Sequence, residues 1–228
     1  MDKFKKTNII DGMPNELILE QLFDSPLKVR LLKLFLRNSG GEFSVTEIRC
    51  RARANGSGLT RELQKLLKIG FIKTKTVVER TGGNSRAGRG VKRRSKNRGA
   101  AKKVKAYFVN RGFPLYNELN SLVLKLLPVS KEKMLQKIKA ISGVKLVLLS
   151  GVFINSDKNR ADLLIVGDNM SRKKLNNFLQ DLEADVGKPI NYAIMSKKEF
   201  YYRHDMYDRF IHDMLEYPHE KLINKLKI

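Results

Sequence analysis

Apolar residues recur at helical spacing through most of the first 70 positions of the chain. The pattern predicts four helices, two at about 16–23 and 26–37 and two on either side of a break at 53–56. Ser25-Pro26 opens the second helix, because a capping hydroxyl precedes a proline whose missing amide is not needed there. Ser44 and Glu47 have the spacing of a capping box and open the third helix. Gly70 is placed to close the fourth.

After Gly70 the pattern changes to that of a hairpin. Residues 71–79 and 105–110 predict two strands, and residues 81–104 between them contain no acid. Nine Lys/Arg lie within 86–103, together with five glycines from 82 to 99. A segment of this composition cannot bury enough apolar surface to fold alone, so we expect it to be disordered when free. Helix, short break, helix and a hairpin with a long basic tip together predict a winged helix-turn-helix.

The remainder of the chain predicts a second domain. The pattern there gives helices at about 115–127, 131–141, 172–186 and 197–215, and strands at about 144–153, 161–167 and 190–196. The first of these helices is expected to connect the halves, with apolar positions Leu115, Leu119, Leu122 and Leu126. Two strands contain near-continuous apolar runs, so helices should cover both faces of their sheet.

The fold class we predict is α+β / α/β with two domains, a winged helix-turn-helix and a small mixed-sheet α/β domain. The expected bounds are 1–112 for the winged helix with its wing at 81–104, 113–130 for the connector and 131–228 for the second domain.

The charge of the chain is large and unevenly placed. A total of 46 Lys/Arg against 23 Asp/Glu gives a net charge of +23 at pH 7. Residues 1–140 hold 32 of the bases and 11 of the acids, a net of +21, whereas residues 141–228 hold 14 and 12, a net of +2. This excess points to a polyanionic partner, which the first part of the chain would contact.

Compartment signals are few. Cys50 is the one cysteine of the chain, so no internal disulfide can form and a reducing cytosol fits. No apolar run approaches the ~20 residues of a membrane-spanning helix, and the N-terminus has no signal-peptide core. We expect a cytoplasmic protein without a membrane segment.

The outward side of the fourth helix is the expected site of sequence reading. The positions expected to point outward are Ser57, Thr60, Arg61, Gln64 and Lys65. Arg and Gln can make bidentate contacts to guanine and adenine edges in the major groove. Thr46 is a further DNA-binding candidate. The basic tip is another, because a segment whose charged residues are all positive supplies affinity for phosphates rather than base readout. The candidates in and beside the tip are Arg86, Arg89, Lys92, Arg93, Arg94, Lys96, Arg98, Lys102 and Lys103. The alternatives are an ordinary polar helix face and a solvated tip without a partner.

The run LTRELQKLLKIGFI, residues 59–72, closely resembles the recognition-helix pattern of winged-helix transcriptional regulators. The resemblance implies a regulator that binds DNA through this helix. The chain departs from the family at Arg53, because the turn between the two helices often holds glycine there.

A second resemblance lies in the predicted strands of the C-terminal part. An apolar strand, the pair Ser150-Gly151, a loop and Asp162 at the start of the next strand resemble the nucleotidyltransferase fold of the DNA polymerase β superfamily. This resemblance implies a Gly-Ser backbone that cradles a triphosphate. It also implies carboxylates that hold two Mg²⁺ ions for in-line transfer.

The motifs of that superfamily are incomplete in this chain. The Gly-Ser order is reversed, Leu164 stands at the place of the second carboxylate, and the third strand has Asn191 and Tyr192 in place of an acid. One carboxylate cannot position two metal ions. The vestigial nucleotide site would consist of Ser150, Gly151 and Asp162. We expect Asp162 to cap a loop, and we expect no catalytic residue, metal or cofactor.

Other candidate side chains point to structural roles. Cys50 is expected to be a small core residue. The histidines His204, His212 and His219 lack the spacing of a metal site. The aromatic residues expected in the core of the last helix are Phe200, Tyr201, Tyr207 and Phe210.

The sequence thus predicts a DNA-binding transcriptional regulator with a winged helix and an inactive nucleotidyltransferase-like domain for sensing, dimerisation or partner binding. Double-stranded DNA is the expected partner, and a homodimer is left open. The alternatives are an active nucleotidyltransferase, which would need Mg²⁺, and an RNA-binding protein.

Overall fold

The computed structural model describes residues 15–54, 56–80, 101–125, 129–154, 156, 159–226 and 228 of the chain. These residues form a mixed α/β fold with two small sheets, one in the N-terminal half (15–125) and one in the C-terminal half (129–228). The mixed class expected from the sequence is confirmed.

Four helices of the N-terminal half begin and end close to the predicted positions. They are α1 (Asn15–Leu22), α2 (Pro26–Arg37), α3 (Val45–Ala52) and α4 (Gly56–Lys68). The capping box forms as expected: Ser44 Oγ accepts from the Glu47 amide at 3.3 Å, and Glu47 Oε2 accepts from the Ser44 amide at 2.9 Å. Gly70 follows α4 with a φ of +77°, a conformation that suits glycine at a helix end.

The first sheet consists of β1 (Phe43–Ser44), β2 (Ile72–Arg80) and β3 (Ala101–Val109), in the antiparallel order β1-β3-β2. The β2–β3 pairing runs from Ile72 opposite Val109 to Arg80 opposite Ala101. The predicted wing at 81–104 is therefore too long, because residues 101–104 already pair as strand. Residues 81–100 lie outside the described residues.

Helix α5 (Tyr116–Lys125) packs on the same core as α2 to α4. This N-terminal core contains Leu31, Phe35, Ile48, Ala52, Leu59, Leu63, Leu66, Phe71, Ile72, Val109 and Val123, with other apolar neighbours. Val123 is fully buried, and Tyr116 and Leu119 pack beside it. The apolar side predicted for this helix is wrong at Leu115 and Leu122, which are exposed. The contact instead follows the helical spacing that starts at Tyr116, so α5 packs with the N-terminal helices.

The described residues of the C-terminal half form four α-helices around a four-stranded sheet. The helices are α6 (Lys131–Lys139), α7 (Arg172–Val186), α8 (Lys197–Asp205) and α9 (Arg209–Glu216). The strands are β4 (Val144–Leu149), β5 (Leu163–Gly167), β6 (Tyr192–Met195) and β7 (Glu220–Asn224). Their order is β6-β5-β4-β7, with β5 parallel to β6 and the other pairs antiparallel.

Strands β4 and β5 are buried on both faces, as predicted. Val147, Leu149, Leu163 and Ile165 face helices α6 and α7 in the α6/α7 core, which includes Met134, Ile138, Phe178 and Leu182. The alternate residues Leu146, Leu148, Leu164 and Val166 face α8 and α9 in the α8/α9 core, which includes Phe200, Ile211 and Met214. Helices therefore cover both faces of this sheet.

The C-terminal half differs from the prediction in several places. The strand predicted at 144–153 ends at Leu149, because Gly151 turns the chain into a short 3₁₀ helix with a φ of +53°. The last helix is broken into α8 and α9 at Tyr207, which has a φ of +53° and a largely exposed side chain rather than a core position. Asp208 starts α9 by accepting from the Phe210 and Ile211 amides. Strand β7 was not predicted.

Helix α7 joins the two halves, since it packs against α2 and α3. Arg30 Nε of α2 lies 2.8 Å from Asp185 Oδ1, and Asn38 Nδ2 donates to the Gly187 carbonyl at 2.7 Å. A Cβ on Gly187 would lie 2.7 Å from the carbonyl carbon of Lys33, so the close approach requires glycine.

Candidate nucleic-acid interface

Helix α4 presents the polar face that its sequence period predicts. The leucines at 59, 63 and 66 are buried. The side chains on the opposite face are exposed, and they are Ser57, Thr60, Arg61, Gln64 and Lys65. Arg61 and Gln64 make no side-chain hydrogen bond or ion pair within the described part of the chain. Both side chains are therefore available for a ligand.

Glu62 places one negative charge beside this face. Its side chain is largely buried, with Oε1 2.8 Å from Lys65 Nζ and Oε2 3.9 Å from Lys28 Nζ. Two lysines thus neutralise the carboxylate. Lys65 is partly engaged by this pairing, which leaves Arg61 as the uncompensated cation near the middle of the face.

The β2–β3 hairpin extends the basic surface. Lys73, Lys103 and Lys105 are exposed along its strands, and Lys75 pairs with Glu42. Lys103 is among the residues predicted to bind DNA, whereas Lys73 and Lys105 are not, although their alternation with other residues along the predicted strands was the available signal. The other tip candidates, from Arg86 to Arg98, lie outside the described residues, as does the side chain of Lys102.

Helix α3 lies next to α4 with a basic exposed side. Thr46 is exposed in the first turn, as its candidate role requires. Cys50 is also exposed, between Arg49 and Arg51, so the expectation that it is a core residue is wrong. Ile48 and Ala52 fill the core positions of this short helix instead. The guanidinium of Arg51 lies 4.9 Å above the Phe43 ring centroid.

The structure brings Ser150, Gly151 and Asp162 together at one end of the second sheet. Asp162 Oδ1 accepts from the Val152 amide at 2.8 Å, and Oδ2 accepts from the Asn191 amide at 2.8 Å. Ser150 is fully buried, and its hydroxyl donates to the Ala161 carbonyl. A Cβ on Gly151 would lie 2.1 Å from Asp162 Oδ1, so only glycine fits there.

These residues do not fit a two-magnesium site. Each oxygen of Asp162 already accepts a backbone amide, and this is the geometry of a strand-end carboxylate that caps a loop. Leu164 has no exposed surface and packs in the α8/α9 core, where a carboxylate would be desolvated. Within the described residues, no group of three or more His, Cys, Asp and Glu is arranged to hold a metal ion.

A surface groove of about 400 Å³ lies at the other end of β4. Its apolar lining includes Leu135, Ile138 and Val144, and Lys139 and Lys225 also line it. Because β4 runs from Val144 to Leu149, this groove and the Ser150 cluster occupy opposite ends of the same strand.

None of the helices formed by the described residues has the length and apolar character needed to cross a membrane. Comparisons of this chain with protein-family models, curated proteins and solved structures give no match.

Proposed function

We propose that the protein is a DNA-binding transcriptional regulator that acts in the cytoplasm. Its N-terminal half would be a winged helix-turn-helix, with α4 as the recognition helix and the β2–β3 hairpin as the wing. The observation that carries the proposal is the pair Arg61 and Gln64, exposed and unengaged within the described residues, on the helix that follows a tight turn. The helix order and the sheet order β1-β3-β2 support it.

The dimensions and charges of this half suit duplex DNA. An α-helix with side chains is about 10–12 Å wide, and the major groove is about 12 Å wide. The 13 residues of α4 span about 20 Å, enough to place Arg61 and Gln64 on base edges while the lysines of the hairpin meet phosphates. The net charge of +21 in residues 1–140 would supply the sequence-independent part of the affinity.

We propose that the C-terminal half is a nucleotidyltransferase-like module without transfer activity, used for sensing, dimerisation or partner binding. The order α6-β4-β5-α7-β6-α8 agrees with the resemblance drawn from its sequence. The engaged oxygens of Asp162 and the buried Leu164 favour a structural use of the former site.

Selection of bound fragments from random genomic DNA, followed by footprinting, tests the DNA-binding proposal. We expect protection of a defined sequence, with Arg61→Ala losing that preference. Equal affinity for random DNA and for RNA duplexes and loops would favour the RNA-binding alternative. Transfer of label from an α-labelled triphosphate would favour the enzyme.

A further inference from the structure

Arg53 lies in the turn between α3 and α4 in a conformation that is unfavourable for its residue type. Its φ of 48° and ψ of 45° are in the left-handed region, where a Cβ meets the following carbonyl and glycine is preferred. The Ala54 amide donates to the Arg49 carbonyl at 3.1 Å, and this hydrogen bond ends α3 at Arg53. An arginine kept at such a position points to a role for its side chain.

That side chain makes a two-point contact with α7. Arg53 Nε lies 2.7 Å from Asp181 Oδ1, and Nη1 donates to Gln180 Oε1 at 2.9 Å. A planar guanidinium held at two points is fixed in orientation as well as in position. Both charged side chains are about one-third exposed, so solvent weakens this pair less than it would a fully exposed one.

Helix α7 is anchored to α2 by contacts that do not involve Arg53. Near the C-terminal end of α7, Asp185 forms an ion pair with Arg30, and the Gly187 carbonyl accepts a hydrogen bond from Asn38. The guanidinium of Arg53 thus links the turn before α4 to a helix that is itself held against α2. Two sets of contacts therefore fix the position of the turn between α3 and α4: the burial of Ala54 in the N-terminal core, and the contacts of Arg53 with α7.

Arg53 is a weak candidate for a direct phosphate contact. Asp181 neutralises its charge, and the amide of Gln180 occupies a second edge of the guanidinium. Lys137 Nζ of α6 lies 3.4 Å from Asp181 Oδ2 and 3.7 Å from Asp185 Oδ2, so the α7 carboxylates are already shared among bases of both halves. The guanidinium of Arg53 therefore contacts other residues of the protein rather than a DNA phosphate.

We propose that α7 positions α4 for base reading through Arg53, so that Arg53 and Asp181 are positioning residues for the recognition helix. This inference rests on the proposed DNA-binding function for its base-reading part. A binding event in the C-terminal half that displaces α7 would then change DNA affinity, because the Arg53–Asp181 pair links α7 directly to the turn before α4. Gln180 fixes the guanidinium plane.

Hydrogen exchange of the free protein tests the link without DNA. Asp181→Asn removes the charge and keeps the shape, and Arg53→Gly removes the side chain while suiting the left-handed backbone. We expect both variants to exchange the Ala54 amide faster than wild type by roughly five- to tenfold. The matched control is Asp205→Asn, the same charge change at an exposed residue of α8. Unchanged exchange in both variants would overturn the proposal whatever the protein binds.

Binding measurements complete the test. On the preferred DNA site, Asp181→Asn and Arg53→Gly should each lose roughly five- to tenfold in affinity relative to Asp205→Asn, with random-DNA affinity unchanged. The double variant should lose no more than either single one, because one link is broken in all three. Asp181→Glu should restore most of the affinity. Additive losses would overturn the positioning role. Faster exchange in a protein whose wild type prefers no DNA sequence would overturn the proposed function and the base-reading part.

Discussion

The amide nitrogen of Val152 lies 2.8 Å from Oδ1 of Asp162. Because Oδ2 of the same carboxylate accepts from the Asn191 amide, one side chain holds together the turn after β4, the start of β5 and the segment before β6. The carboxylate that resembles a metal ligand in the sequence is thus an internal hydrogen-bond acceptor in the fold.

Asp162→Asn should destabilise the protein by about 1–3 kcal/mol. The amide side chain has one acceptor oxygen, so one of the two backbone donors would face an NH₂ group and lose its partner. Urea unfolding measures the change. Asp205→Asn, at a largely exposed side chain, should stay within about 0.5 kcal/mol of wild type. Equal stability of both variants would contradict the structural role of Asp162.

Leu164→Asp would create the acid spacing of the nucleotidyltransferase pattern that the sequence resembles, and it should destabilise the protein by at least ~2 kcal/mol. The new carboxylate would be buried beside Phe200 and Ile211 without a partner. Ile194→Asp on the neighbouring strand is the control, since Ile194 is partly exposed and should tolerate the change better. A Leu164→Asp variant as stable as wild type would show that solvent reaches this position. Ligand sensing there would then be a better hypothesis than a purely structural role.

The wild-type protein should bind no nucleoside triphosphate in a Mg²⁺-dependent way at millimolar concentration. Both oxygens of Asp162 are used by backbone amides, so the metal would have to break structural hydrogen bonds. Calorimetric titration with and without Mg²⁺ measures this directly. Label transfer that disappears in Asp162→Asn would contradict the proposal that the C-terminal half has no transfer activity.

Arg61→Ala and Gln64→Ala should each cost about 1–3 kcal/mol on the preferred DNA site and leave random-DNA binding nearly unchanged. Lys65→Ala should cost less, because Glu62 already neutralises part of that charge. Lys139→Ala, at an exposed residue of α6, is the control for loss of one positive charge. Equal losses of affinity for preferred and random DNA would show that Arg61 and Gln64 contact phosphates rather than bases.

Replacement of residues 81–100 should flatten the salt dependence of DNA binding. Arg80 and Ala101 are paired, so an Asn-Gly turn can join the two strands without changing their register. If about six charges of the segment meet phosphates, the slope of log K against log salt should fall by roughly five units. A neutral Gly/Ser segment of the original length is the control that separates charge from length. An unchanged slope would exclude the segment as a phosphate-binding element.

Arg37→Met should leave the protein at least as stable as wild type and raise its stability by up to about 1 kcal/mol. Nε and Nη2 of Arg37 are buried and have no hydrogen-bond partner among the residues that the structure describes, and this burial lowers the pKa of the guanidinium. At neutral pH the arginine is charged in both states, so the folded state alone bears the desolvation. Thermal unfolding measures the gain. A marked loss would mean that the charge has a partner in solution.

Much of the fold could be predicted from local sequence signals. The predicted bounds of helices α2 and α7 match the structure, because each helix has a clear apolar period, and Ser25-Pro26 marks the start of α2. The break at Tyr207 could not be predicted in the same way, since a left-handed tyrosine gives none of the signal that glycine gives. Asp208 was the available sign of a new helix start.

The candidate site was predictable where exposure follows from periodicity. Arg61 and Gln64 lie on the outward face because the leucines of α4 fix which side is buried. Gln180, a partner of Arg53, lies 127 residues away along the chain, and the partners of Asp162 lie 10 and 29 residues away in separate segments. No local pattern specifies such pairs. In the sequence Arg53 differs from the winged-helix pattern that the chain resembles, and in the structure its side chain contacts Asp181.

The alternate burial along β5 makes the second sheet more sensitive to a change in strand length than to an exchange of one aliphatic side chain for another. Leu163 and Ile165 serve one core, and Leu164 and Val166 serve the other, so neighbouring letters of the sequence belong to different packing environments. Exchanges among aliphatic residues alter a cavity by a methyl group or two. Deletion of one residue would instead move each later side chain of the strand to the opposite face of the sheet, and so into the other core. Sequence drift in this half should proceed by substitution inside the strands, and insertions should accumulate only in the connections between them.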